Sequence, residues 1–317
     1  MRGGGSVYLK KRYVAGNTIE IQKTISTRYG ITATRREKTD RTPEAVQKYN
    51  GKMARRQLIR IINAGFTPGD IYLTLTYRRG ERPGGDEAVK DRSRLLRRLR
   101  GKVKKRGGEL KYIAVTAIGS KGGIHHHLVL GGIVAEDLRG LWDKGRTDIQ
   151  YLYEDGHYEA LATYLIDQEA RGPGGQGGII GRRWSGSRNL IIPDPEIEVV
   201  DADTWREPPE AEIGYVIDVA SIEAGTSPVS GQPYLYYRML RADDKVITRD
   251  GRVLKGRAAH KYQKAENKEE IRREMRKRYD AGTIQVLRRK QGKAKKPRGP
   301  DKGMEKPPSR GGVRAID

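Results

Sequence analysis

Three of the five histidines in this 317-residue chain are consecutive, at His125, His126 and His127. They stand in the segment IHHHLVL, whose apolar residues are typical of a buried strand. Successive side chains of a strand point to opposite faces, so His125 and His127 share one face and His126 shares the other with Leu128 and Leu130. Two neighbouring imidazoles suit manganese and other transition ions, and a mixed site could also take magnesium. A strand whose histidines are merely exposed to solvent is the alternative interpretation.

A tyrosine is the second residue whose position could serve chemistry. Tyr164 lies in HYEALATYLIDQEA, which predicts a helix with Leu161 and Leu165 on its packed face. Because Tyr164 is one position away from that stripe, its hydroxyl could project from the edge of the helix and act as a nucleophile. The chain contains 17 tyrosines, however, so core or surface packing is the ordinary role of any one of them.

Alternating strand and helix patterns would position these residues. VYLKKRYV and TIEIQKTIS predict a hairpin, and LKYIAVTAI pairs with IHHHLVL around the turn GSKGG. Residues 70 to 77 and the segment TDIQYLY predict further strands. Helices are expected after Thr42 as N-cap with Pro43 in the first position, from Asp86 to Arg106, and from about Glu136 to Trp142. The pattern predicts an α+β fold with a mainly antiparallel central sheet flanked by helices.

The composition indicates a polyanionic partner. The net charge is +24, with 33% charged and 35% hydrophobic residues, and an excess of this size favours nucleic acid. No apolar run is long enough to span or anchor in a membrane, and MRGGGSVYLKKRY lacks the apolar core of a secretory signal. The absence of cysteine excludes disulfides and thiol-ligated zinc. A cytoplasmic protein without membrane partners is the resulting expectation.

The charge is concentrated towards the C-terminus, where residues 251 to 317 hold 22 Lys and Arg against 8 Asp and Glu. ENKEEIRREMRKRYDAGTIQVLRRKQ predicts a basic helix with Ile271, Met275 and Tyr279 on one face, which Gly282 could end. Either a solvated basic helix or a helix-turn-helix would fit this pattern. The last 28 residues are rich in Pro, Gly and Lys, so we expect them to be disordered.

Two basic segments could track single-stranded DNA. One is the helix from Asp86 to Arg106, and the other is GRRWSGSRNL, in which Trp184 could stack on a base. A solvated helix face and a buried tryptophan are the competing interpretations. The candidate DNA-binding residues are Arg97, Arg98, Lys104, Lys105, Arg182, Arg183, Trp184 and Arg188.

Three motifs occur in an order that resembles the rolling-circle replication initiators (Rep) of the HUH superfamily, which bacterial phages, plasmids and integrative elements carry. They are YLTLTY at residues 72 to 77, His125 and His127 followed by LVL, and LATYLI with Tyr164, which follows His127 by 37 residues. GRRWSGSRNL is similar to a basic aromatic segment that follows the third motif in many such initiators. The resemblance covers about residues 55 to 195.

The resemblance implies an RRM-like HUH fold and a definite reaction. His125 and His127 would hold Mg²⁺ or Mn²⁺, and Tyr164 would attack a phosphodiester of single-stranded DNA at a replication origin. The products would be a 5′-phosphotyrosine and a free 3′-hydroxyl, which a host polymerase and helicase would use. On this basis residues 1–54 form an N-terminal hairpin and helix, 55–200 the HUH nickase core, 201–250 the C-terminal part of the domain and 251–317 a basic tail.

The chain departs from the family pattern at two positions. Ala117 stands where many members carry a glutamate as third metal ligand, and Asp167 stands where many carry a lysine one helical turn after the tyrosine. Asp167 could itself be the third ligand, and Asp70, Glu109, His157 and Gln168 are further candidates. A catalytically impaired DNA-binding homologue and a related single-tyrosine transposase or relaxase therefore remain as alternatives.

Overall fold

The structure is a computed structural model that describes residues 7–26, 43–153, 156–167, 178–180, 183–202, 204–205 and 208–280. In chain order its elements are β1 (Val7–Ala15), β2 (Thr18–Ser26), α1 (Glu44–Gly65), β3 (Ile71–Thr76), α2 (Gly85–Lys105), β4 (Lys111–Ile118), β5 (Ile124–Gly131), a 3-10 helix (Ala135–Leu138), β6 (Thr147–Tyr151), α3 (Glu159–Asp167), β7 (Ser185–Gly186), β8 (Glu196–Val200), β9 (Tyr215–Thr226), β10 (Pro233–Arg241), β11 (Lys245–Ile247), β12 (Val253–Lys255) and α4 (Gly256–Asp280).

The central sheet has the strand order β6-β3-β5-β4-β7, with every described pair antiparallel. Because side chains alternate along each strand, the sheet has two apolar faces. One face packs Leu73 and Leu128 against Leu95 and Leu99 of α2. The other face is covered by α1 and α3, which contribute two further groups of buried residues: Leu58, Ile61, Ile62, Leu161 and Leu165. This arrangement confirms the α+β class and the flanking helices.

A second five-stranded sheet joins the beginning of the chain to its later part. Its order is β8-β1-β2-β10-β9, so β2 of the N-terminal hairpin pairs with β10, which lies more than 200 residues away. The basic side of α1 faces this sheet. Arg60 donates from Nε to Glu20 Oε2 at 2.7 Å, and Arg56 donates to Glu223 at 2.8 Å. The Arg56 guanidinium also lies 3.2 Å from the centroid of the Tyr236 ring. Helix α1 is thus held between an apolar and a charged interface.

The basic helix α4 is part of the fold. It begins at Gly256, ten residues before the predicted start, and Ile271 and Met275 pack in a core cluster of the second sheet. Asn267 accepts a hydrogen bond from the amide of Ile217 and donates one to its carbonyl, both at 2.8 Å, which satisfies the main chain of edge strand β9. The side chain of Tyr279, Gly282, the helix-turn-helix alternative and the predicted disordered end lie outside the described residues, and the domain boundaries stay a prediction.

Three local predictions need correction. Pro43 is the N-cap of α1 rather than its first residue, because its ψ of 146° is extended and the helix begins at Glu44; Thr42 lies outside the described residues. The helix expected up to Trp142 is a 3-10 turn ending at Leu138, since Gly140 has a φ of +69° that a helix cannot continue through. The tyrosine helix begins at Glu159, later than expected. No helix in the described part of the chain is long and apolar enough to cross a membrane.

Candidate active site

The histidine pair lies in the middle of the central sheet, on the face that α1 and α3 cover. In the antiparallel register His125 is opposite Thr76 of β3 and Ala117 of β4, and His127 is opposite Thr74 and Val115. Directly opposite residues share a face, so all of these side chains point the same way. The centroids of the two imidazole rings are 4.7 Å apart.

Tyr164 reaches this pair from α3. The helix buries Leu161 and Leu165 against the sheet, and Tyr164 at the edge of that face remains 37% exposed. Its ring stands edge-on to the His127 ring, with centroids 5.2 Å apart. The structure therefore places next to each other a tyrosine and two histidines that come from separate elements.

Tyr72 of β3 is a further residue of the site whose role the sequence did not reveal. Its hydroxyl lies 2.6 Å from Nδ1 of His127, and Thr74 Oγ1 lies 3.3 Å from the same nitrogen. Burial raises the pKa of Tyr72 above its ordinary value, and the neighbouring Tyr164 hydroxyl adds to the effect, so Tyr72 remains a neutral hydroxyl. A strand pattern cannot foretell this contact, because it requires the register of β3 against β5.

The second ring nitrogens of the pair are the ones available to a ligand. The carbonyl of Gly123 can only accept, so His125 donates to it from Nδ1 at 3.1 Å and keeps the lone pair on Nε2. For His127, a proton on Nδ1 directed at Tyr72 has the same result. Oxygen partners that fix the tautomer in this way are characteristic of metal-binding histidines, so the pair fits a divalent transition ion.

The third protein ligand is a different matter. No group of three or more His, Asp or Glu side chains within the described residues is arranged to hold a metal ion. Asp167 accepts a hydrogen bond from Arg55 of α1 at 2.7 Å, a contact between residues 112 positions apart that no local pattern could predict. The metal-binding role of Asp167 stays a prediction, and water and phosphate oxygens would complete the coordination.

The other candidates for a third ligand lie elsewhere. Asp70 caps the turn before β3, where its carboxylate accepts from the amide of Thr67 at 2.8 Å. Glu109 precedes β4, at the opposite end of that strand from Ala117. His157 lies just before α3, with its Nε2 3.9 Å from Glu159. Gln168 lies outside the described residues.

His126 points to the opposite face, as expected, and is fully buried. Its Nε2 lies 3.1 Å from the Tyr77 hydroxyl and its Nδ1 lies 2.9 Å from Thr116 Oγ1. Burial, together with the charge of Arg92, lowers the pKa of His126 to about 3, so the ring is neutral. We infer that His126 is a structural residue under the pair.

The tyrosine helix is tied to both α1 and the second sheet at its start. The amide of Tyr158 donates to Asn63 Oδ1 at 2.9 Å, and Asn63 Nδ2 donates to Thr18 Oγ1 at 3.2 Å. Glu159, the first residue of α3, forms an ion pair with the buried Arg238 of β10. The second sheet therefore helps to fix where Tyr164 lies.

The predicted DNA-binding residues are distributed over the molecule. Four of them, Arg97, Arg98, Lys104 and Lys105, are exposed on α2, across the sheet from Tyr164. Arg98 donates to the carbonyl of Leu141 at 3.3 Å. Trp184 is half-buried against the core beneath α1, while Arg188 is exposed; Arg183 is described and Arg182 is not. Their contact with DNA stays a prediction.

Residues 70–169 match a family model of replication-associated proteins of the ORF2 type. The matched span runs from the start of β3 past the end of α3, so it contains Tyr72, the histidine pair and Tyr164. The match supports a role as a replication initiator. No curated protein and no solved structure matches the chain.

Proposed function

We propose that this chain nicks and rejoins single-stranded DNA at a replication origin, with Tyr164 as the nucleophile, and so starts rolling-circle replication of a mobile element. The observation that carries the proposal is the contact between Tyr164 and His127, whose ring centroids are 5.2 Å apart, beside a second histidine on the same face. The match of this segment to a family of replication-associated proteins supports it.

The reaction exchanges one phosphate ester for another. The Tyr164 oxygen bonds to the scissile phosphorus, and the bond from phosphorus to the 3′ oxygen breaks. The phenol proton is lost to water and a proton returns to the 3′ oxygen, which leaves a 5′-phosphotyrosine and a free 3′-hydroxyl. Because the phosphodiester energy is kept in the covalent link, attack by a 3′-hydroxyl reverses the step without ATP. A host polymerase and helicase would extend and unwind the strand.

The residues around Tyr164 would each serve this exchange. His125 and His127 would hold Mg²⁺ or Mn²⁺ through Nε2, and such an ion polarises a phosphate and offsets charge in the transition state. Tyr72 fixes the orientation of His127 through the contact of 2.6 Å. Arg55 partly neutralises Asp167, which would otherwise repel a phosphate one helical turn from Tyr164. This pair supports an active rather than an impaired site.

The test is a covalent adduct. Incubation with an oligonucleotide pool and Mn²⁺ should give a protein–DNA species on a denaturing gel, and Tyr164→Phe should abolish it. Tyr151→Phe, at an exposed tyrosine of β6, is the matched control and should retain the adduct. An adduct that persists in Tyr164→Phe would remove Tyr164 as the nucleophile.

A second candidate function is DNA binding without catalysis. It is favoured by the lack, among the described residues, of a three-residue metal-binding group. Tight DNA binding by the wild-type protein together with no adduct from any oligonucleotide, with either Mg²⁺ or Mn²⁺, would establish this alternative over the nicking enzyme.

A further inference from the structure

A cleft of about 940 Å³ opens at the other end of β4 from the histidine pair. Its walls are the C-terminal end of α2 with the turn that follows, and the segment after β7. Tyr112 lines it and is opposite Leu130, whereas Ala117, five residues along β4, is opposite His125. Five residues of strand span about 17 Å, so the cleft is well separated from Tyr164.

Three cations line this basic cleft: Arg100, Lys104 and Arg188. All three side chains are exposed, and within the described residues none of them has a carboxylate within ion-pair distance. Glu109 is the acidic residue of the lining, and Asn189 Nδ2 donates to its carboxylate at 3.4 Å. The negative end of the α2 dipole adds about half a charge. The three full positive charges exceed these opposing charges, so the cleft attracts an anion.

The walls of the basic cleft are built rather than loose. The segment after β7 is fixed to β4, because the amide of Ser187 donates to the carbonyl of Tyr112 at 3.0 Å and the amide of Tyr112 donates to Ser187 Oγ at 3.0 Å. On the other side the turn after α2 is closed by the amide of Gly108, which donates to the carbonyl of Val103 at 3.0 Å. Its cations are thus carried on a scaffold that exists before any ligand arrives.

We propose that the basic cleft binds the phosphodiester backbone of DNA that flanks the nick site. The proposal rests on the function proposed above, in that DNA held at Tyr164 would continue to this second anchoring site. The separation of about 17 Å along β4 equals about five base-pair steps, since phosphates on one strand of a duplex are 3.4 Å apart along the axis. Three cations at this spacing could neutralise several phosphates, in either a duplex or a single strand.

The experiment compares two triple variants in the Tyr164→Phe background, where no covalent capture can occur. The cleft variant is Arg100→Gln, Lys104→Gln and Arg188→Gln. The control variant is Arg257→Gln, Lys261→Gln and Lys264→Gln, which removes the same charge from α4. Fluorescence anisotropy would follow a labelled duplex and a labelled single strand over a range of salt concentrations.

The cleft variant should lower the slope of log affinity against log salt by about 3, because each lost phosphate contact lowers it by about 1. The control variant should change it by less than about 1. A loss confined to the duplex or to the single strand identifies which of the two occupies the cleft. A slope in the cleft variant equal to that of the control for both probes would overturn the proposal.

Failure of the cleft and failure of the nicking reaction are separable. If wild-type protein forms the covalent adduct but the two triple variants bind alike, Tyr164 chemistry stands and the cleft proposal is overturned. If no adduct forms but the cleft variant alone loses salt dependence, the cleft is a DNA site of a protein that does not nick.

Discussion

Replacement of Tyr72 by phenylalanine tests whether a neighbouring hydroxyl orients the histidine pair. The Tyr72 oxygen is 2.6 Å from Nδ1 of His127, while the Thr74 hydroxyl, at 3.3 Å, is the weaker partner of the same nitrogen. Loss of such an orienting partner typically costs 10- to 100-fold in metal affinity or activity, which corresponds to about 1.4 to 2.8 kcal/mol. Because Thr74 can compensate in part, Tyr72→Phe should lie near the lower end, and Tyr72→Phe with Thr74→Val near the upper end.

Two measurements would check this expectation. Calorimetric titration with Mn²⁺ gives the affinity, and the single-turnover rate of adduct formation gives the activity. The ¹⁵N shifts of His127 in the metal-free protein report its tautomer directly, which a merely structural tyrosine would not alter. Tyr151→Phe, at a residue that is 63% exposed, is the control. If Tyr72→Phe left the His127 tautomer and the Mn²⁺ affinity unchanged while His127→Ala abolished binding, the orienting role of Tyr72 would be refuted.

Three further changes have defined outcomes. Ala117→Glu should raise Mn²⁺ affinity about tenfold, because residue 117 is opposite His125; unchanged affinity in titration would show that it is not beside the ion. Glu20→Gln should cost about 3 to 5 kcal/mol in urea unfolding, because it leaves the buried Arg60 without its counter-charge, and adding Arg60→Met should restore most of that; additive losses would contradict the coupling. Burial raises the pKa of Asp91, but hydrogen bonds from Arg94, Tyr77 and Lys144 outweigh it and hold the pKa below its ordinary value. That stabilisation is present above the ordinary pKa and is lost as the pH falls through the lower folded value, so the deficit of Asp91→Asn in urea unfolding, about 2 kcal/mol at neutral pH, should shrink in acid; a constant deficit would count against it.

The central sheet could be predicted because its signals are local. IHHHLVL and its hairpin partner alternate with a period of two, so the shared face of His125 and His127 follows from the strand itself. The edge position of Tyr164 follows in the same way from the period of a helix. What made these residues a site, the packing of α3 over β5, could be expected only from the resemblance to a family.

The contacts that the sequence did not reveal join distant parts of the chain. Arg55 meets Asp167 across 112 positions, and Arg238 meets Glu159 across 79. Helix α4 starts ten residues early because its first turns follow directly from β12, whereas the predicted start depended on an apolar stripe that begins later. Propensity and periodicity act over one or two turns of chain, so tertiary partners of this kind leave no trace in them.

The pairing of β2 with β10 also governs how the protein emerges from the ribosome. More than 200 residues separate the two strands, and translation at about 5 to 20 residues per second takes roughly 10 to 40 s to cover that distance. During this interval Ile19 and Ile21, which end up buried, have no β10 to cover them. The nascent hairpin is therefore an open strand edge, and it is the segment from which we expect chaperone engagement and misassembly to begin during synthesis.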